Sequence, residues 1–147
     1  MGLLQNCGEM PFFSINYRIS IQYMGNSPYS SNYQRGMAGE AVAVSYLRSK
    51  GYRILERNYR YRKAEIDILA LQQDCLAVVE VKTRTEDFYE ALSASISKPK
   101  IKRLVIAADH FVRERKLEVA VRFDIIQLKK KSAGYQLTHI KNAFYHF

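Results

Sequence analysis

Residues 64–84 (AEIDILALQQDCLAVVEVKTR) set Glu65, Asp67, Glu80 and Lys82 into two otherwise apolar runs separated by Gln72, Gln73 and Asp74. Short runs rich in β-branched residues on either side of a polar gap predict a β-hairpin. Side chains alternate along a strand, so Glu65, Asp67 and Leu69 share one face, with Ile66, Ile68 and Ala70 on the other. On the second run Leu76, Val78, Glu80 and Lys82 share a face. A turn at Gln73-Asp74 pairs Gln72 with Cys75, which sets Asp67 opposite Glu80 and Glu65 opposite Lys82. Opposed Cβ atoms lie about 5 Å apart. Two carboxylates at that range must share a proton or a cation. A hard, oxygen-seeking ion such as Mg²⁺, or the Lys82 ammonium, relieves the repulsion. The competing reading is a solvated sheet face with an ordinary salt bridge. Both strands are largely apolar on both faces, however, which predicts a buried central hairpin. There, facing carboxylates are costly without a partner.

Other segments supply groups around this hairpin. Met37, Ala41, Val44 and Leu47 form a helical stripe that Gly51 closes, and Glu40 lies on the same side. That glutamate either joins the hairpin carboxylates or complements the helix dipole. Residues 52–60 predict a strand that runs into Arg57, Asn58, Tyr59, Arg60, Tyr61, Arg62 and Lys63. Arginine contacts phosphate and tyrosine stacks on bases. Residues 85–97 read as a polar loop positioned to close over a ligand. Ser97 caps a second helix with Pro99 in its first turn and a stripe of Ile101, Leu104, Val105, Ala108, Phe111 and Val112. Lys98, Lys100, Lys102 and Arg103 crowd its start, where cations oppose the dipole unless an anion lies nearby. Residues 118–128 and 134–140 predict two further strands.

The net charge of +9 sits entirely in residues 35–147, because residues 1–34 carry only Glu9 and Arg18. Such a domain prefers polyanions, nucleic acid before membrane. Cys7 and Cys75 fit no zinc spacing and point to a reducing, cytoplasmic setting, and the three histidines are scattered. No apolar run approaches the ~20 residues of a membrane span.

The predicted order is helix, three strands, helix, strand and a last short strand. It gives an α/β fold, a mixed sheet with helices on its faces. Residues 1–34 read as a flexible N-terminal extension and residues 35–147 as one domain.

With its helix glutamate, Asp67 and Glu80-x-Lys82 in an αβββαβ order, the chain resembles the PD-(D/E)XK nuclease superfamily, with its restriction-endonuclease-like core. Within that superfamily it resembles the YraN-like family of predicted bacterial endonuclease-like proteins. The matching residues are Gly36-x-x-Gly39-Glu40, Gly51-Tyr52, Arg57-Asn58-Tyr59-Arg60, Glu65-Ile66-Asp67, Val79-Glu80-Val81-Lys82-Thr83-Arg84, Arg122-Phe123-Asp124 and Asn142-Ala143-Phe144. Two positions depart: Ala64 stands where a glycine is usual, and Lys100-Ile101 where Lys-Gln is. The resemblance implies metal-dependent phosphodiester cleavage, with Glu40, Asp67, Glu80 and Lys82 catalytic. Asp67 and Glu80 would hold Mg²⁺ or Mn²⁺ with the Val81 carbonyl, and Glu40 would support the ion. Lys82 would orient the attacking water. Arg60, Arg62, Lys63, Arg84, Lys98 and Lys100 are the expected nucleic-acid contacts, to DNA rather than RNA, with a homodimer left open. A non-catalytic nucleic-acid-binding or assembly module on the same fold is the alternative.

Overall fold

The computed structural model describes residues 13–17, 31–84 and 96–144. Eight elements follow in the order β1 (Phe13–Tyr17), α1 (Ser31–Ser49), β2 (Arg53–Tyr61), β3 (Ala64–Gln72), β4 (Cys75–Arg84), α2 (Lys98–Glu114), β5 (Ala120–Lys131) and β6 (Gly134–Ile140). The strands form one mixed sheet in the order β1-β6-β5-β4-β3-β2. β4 and β5 pair in parallel, through α2 as the crossover, and every other pair is antiparallel. The expected αβββαβ order is present, with two antiparallel strands, β6 and β1, added on the β5 side.

The helices cover opposite faces of this sheet. Val42, Ala43, Tyr46 and Leu47 of α1 pack with Ile68, Ala70, Ala77, Val79, Ile126 and Leu128. Leu104, Ala107, Ala108, Phe111 and Val112 of α2 pack with Ile66, Leu69, Leu76, Val78, Val121 and Phe123. The central strands are therefore apolar on both sides, as a sheet buried between two helical layers requires.

Local signals explain the element ends. Gly51 takes φ +85 and the Tyr52 N–H reaches the Leu47 carbonyl at 3.0 Å, which stops α1 in a glycine C-terminal motif. Pro99 lies in the first turn of α2 and Ser97 precedes it in extended backbone, without a side-chain cap. Two-residue turns join β2 to β3 and β3 to β4, with Arg62 and Gln73 at positive φ.

Three expectations are corrected. Five residues of the presumed extension, Phe13–Tyr17, pair with β6 as an edge strand, and α1 begins at Ser31. The rest of residues 1–30, and the loop at 85–95, lie outside the described residues. The stripe of α1 turns away from Met37 and Ala41, which are exposed, towards Val42, Ala43 and Tyr46. The alternation of β3 breaks at Asp67: Ile66 packs on the α2 side, while Ile68 and Ala70 pack on the α1 side.

Candidate functional site

The break at Asp67 builds the site. β3 and β4 keep the register expected from the turn, Gln72 with Cys75, but the ladder runs only to Ile68 with Val79. Beyond it the Asp67 side chain takes the place of a backbone acceptor: the Val81 N–H donates to Asp67 Oδ2 at 2.8 Å. The bond satisfies the Val81 N–H and aims the carboxylate. Across from Asp67 on β2, Asn58 takes φ +51, an uncommon conformation that asparagine tolerates. The two strands thus change face together, between Arg57 and Tyr59 on one and between Ile68 and Ile66 on the other.

Glu80 follows on β4 and is 5% exposed. Its Oε1 meets Lys82 Nζ at 3.1 Å and is also bonded by Lys100 from α2. Burial, then the charge of Glu80, pushes the Asp67 carboxyl up to about 7, against the pull of the Val81 N–H and Lys100, with Glu40 adding to the rise. The predicted conflict between the two acids is therefore present. The cleft beside them, about 260 Å³, is lined by Lys63, Ala64, Glu65, Asp67, Lys100, Arg103 and Leu104. It combines acids in its wall with a cationic rim.

Glu40 reaches the same neighbourhood because α1 approaches β4 closely at Gly39. A Cβ there would stand 2.3 Å from Thr83 Oγ1. The Glu40 carboxylate takes a hydrogen bond from Asn58 Nδ2 at 3.2 Å and faces Arg57 Nη2 at 3.8 Å. It acts on Asp67 through its charge. Among the described residues no group of three or more acidic, histidine or cysteine side chains converges on one point suited to a metal. The two acids nearest to sharing an ion are Asp67 and Glu80: Asp67 is bonded to the N–H of the residue after Glu80, and the Glu80 charge acts on it. Two carboxylates fit Mg²⁺, which keeps several waters and takes one or two protein acids with substrate phosphates.

Two expected partners differ. Glu65 does not meet Lys82, because the β3–β4 ladder has already ended; it pairs with Arg60 of β2 at 3.2 Å. Lys100, expected on phosphate, is held by Glu80. That acid is the anion whose absence would have made the lysines at the start of α2 costly. Of the other expected contacts, Arg60, Arg62, Lys63 and Lys98 are exposed and Arg84 is half-buried at the end of β4.

One cluster was missed. Arg122 forks onto both oxygens of Asp124 at 2.8 Å and donates to the Tyr52 hydroxyl at 2.8 Å. His139 Nε2 lies 2.8 Å from Asp124 Oδ2, and the Asn142 N–H donates to Oδ1 at 3.0 Å. Burial raises the Asp124 carboxyl, but the hydrogen bonds from His139 and Arg122 outweigh it and hold it below the usual range. This network ties β5, β6 and the α1–β2 connection together on the face opposite Glu80. Its signal was Arg122-x-Asp124, two charges on one face of an apolar strand.

The sequence comparisons bear out the family that the residues resemble. Residues 39–128 match the model of a family described as "Uncharacterised protein family UPF0102". A UPF0102 protein of Christiangramia forsetii is 46% identical over 112 residues, covering 76% of this chain and 94% of that protein. One of Parabacteroides distasonis is 44% identical over 110 residues, covering 75% and 91%. The structure of Pyrococcus furiosus SfsA in complex with Ca²⁺ aligns over 75% of this chain and 62% of that one, at 14% identity and a TM-score of 0.28, a likeness too slight to build on. On its sequence matches, the chain belongs to the UPF0102, or YraN-like, family.

Proposed function

We propose that the protein is a divalent-metal-dependent nuclease that hydrolyses phosphodiester bonds in structured DNA. The observation that carries this reading is Asp67, in the wall of a cation-rimmed cleft and hydrogen-bonded to the Val81 N–H, beside a Glu80 that holds Lys82 and Lys100. A carboxyl at about 7 is poised to lose its proton to a cation at neutral pH. Asp67 and Glu80 would hold Mg²⁺ or Mn²⁺ with the Val81 carbonyl, and the ion would lower the pKa of a bound water and offset developing charge. The protein's own share is positional. The Val81 N–H aims Asp67, and Gly39 lets Glu40 approach. Lys82 would meet phosphate oxygens or orient water, and Lys100 would hold Glu80. Arg60, Arg62, Lys63, Arg84 and Lys98 supply charge for the polyanion.

One observation favours the second reading, a nucleic-acid-binding module without catalysis. Two ammonium groups already neutralise Glu80, so the site is charge-balanced without a metal. A panel of single-stranded, duplex, flap and four-way DNA, with RNA, separates the two in Mg²⁺, Mn²⁺ and EDTA. The nuclease reading expects metal-dependent cleavage that Lys82→Ala abolishes while most DNA affinity remains. Binding without cleavage in any metal would leave the module.

A further inference from the structure

Next to the acidic cleft lies a second depression of about 250 Å³, lined by Tyr61, Arg62, Lys63, Ala64, Arg103 and Ile106. Lys63, Ala64 and Arg103 are common to both, so the two form one continuous surface. Their chemistry differs. The first contains Glu65 and Asp67; among the described residues the second has three cations and no carboxylate in its wall. Its floor is apolar. Ile106 is 41% exposed on α2, one of two large apolar side chains left in solvent among the described residues.

The aromatic wall is held from behind. The Tyr61 ring stacks on His110 with centroids 3.8 Å apart and planes 15° from parallel. His110 is itself fixed by a 2.8 Å hydrogen bond with the Tyr59 hydroxyl. Arg62 lies over the Tyr61 ring, 5.3 Å from its centroid. It does so from a turn position with φ +53, a conformation that costs free energy for a residue with a Cβ. A rigid ring, an exposed isoleucine and a cationic rim suit a flat ligand with apolar faces joined to an anionic chain.

We propose that this depression receives one unpaired nucleobase of a strand whose phosphate lies in the adjacent acidic cleft. A base inside a duplex must first be unstacked and unpaired, while a base in a flap, junction or single strand is already available. The pocket thus selects nucleic acid with unpaired nucleotides beside the cut. The proposal rests on the nuclease reading for the neighbouring phosphate, and on its own residues for the base.

The test compares a single-stranded oligonucleotide with one of equal length whose central nucleotides are abasic, so that charge is the same and only bases differ. Affinities are measured in EDTA by fluorescence anisotropy, for wild type, Ile106→Glu and Tyr61→Leu, with melting curves for each. Wild type should prefer the base-bearing strand about tenfold, within the range of one base–side-chain stack. Ile106→Glu alters an exposed position, so it should keep its melting temperature and lose most of that preference. The ratio between strands cancels the added charge. Equal wild-type affinity for both strands, or a preference that survives in Ile106→Glu, overturns the pocket and leaves polyanion binding standing. Binding to neither strand overturns the nucleic-acid reading and the pocket with it. Tyr61→Leu adds a second arm, since loss of the ring alone should also reduce the preference.

Discussion

Asp67 carries two demands at once. It completes the hydrogen bonding of β4 through the Val81 N–H, and it stands against Glu80 with its carboxyl raised to about 7. The folded protein therefore holds a proton there that the unfolded chain releases near pH 4. Where the native state binds more protons than the unfolded one, stability falls as pH rises. Without metal, stability should decline from about pH 4 through about pH 7, by on the order of 4 kcal/mol if the shift is fully expressed. Asp67→Asn keeps an acceptor for Val81 and removes the charge. Denaturant melts across this range should show a flatter profile and greater stability at pH 8 for the variant. Asp124 works in the opposite sense: its lowered carboxyl contributes stability at neutral pH that is lost as pH falls through its folded value.

At the scale of elements, Gly39 governs how closely α1 lies on β4. The Cβ of Gly39→Ala would clash with Thr83 Oγ1 and press on Leu128 Cδ1 at 3.3 Å, so the Thr83 side chain or the helix must shift. Overpacking of this kind costs about 1–3 kcal/mol. Thr83→Ala in the same chain removes the nearest atom and should restore much of the loss, which thermal melts of the two single variants and the double variant will show. Element types and the β3–β4 register were legible because hydrophobic periodicity and a two-residue turn specify them. The face change at Asp67 was not legible, because it depends on Asn58 at positive φ on the neighbouring strand, and a strict two-residue alternation contains no such term. The Glu80–Lys100 contact stayed hidden for a related reason. Both residues were singled out, but which cation of α2 meets which acid of β4 is fixed only by how the helix packs. β1 escaped because five residues on a sheet edge carry too little pattern to separate them from their surroundings.

Over the whole molecule, the +9 charge is the feature a polyanion would meet first. If binding is mainly to phosphates, affinity falls linearly with salt on logarithmic axes, and each lost contact lowers the slope by roughly 0.9. Arg62 is exposed, whereas Arg60 is already paired with Glu65. Arg62→Ala should therefore reduce the slope by about one contact, and Arg60→Ala by less. Affinity for one DNA over a series of salt concentrations checks both, and a flat slope in wild type would count against phosphate binding altogether. The fold supplies the complement to this field. Two helical layers bury the sheet, and Glu80 of the β3–β4 hairpin is met by Lys100 of α2.

Calorimetric titration with Mn²⁺ shows whether Asp67 and Glu80 share one divalent cation. Wild type should bind one ion, more tightly at pH 8 than at pH 6, because Asp67 must first release its proton. Asp67→Asn and Glu80→Gln should each lower the affinity at least about tenfold, the scale on which loss of a ligand or its hydrogen-bonded support is felt. Binding that is unchanged in both variants, or no binding to the wild type, would rule out a shared cation at Asp67 and Glu80.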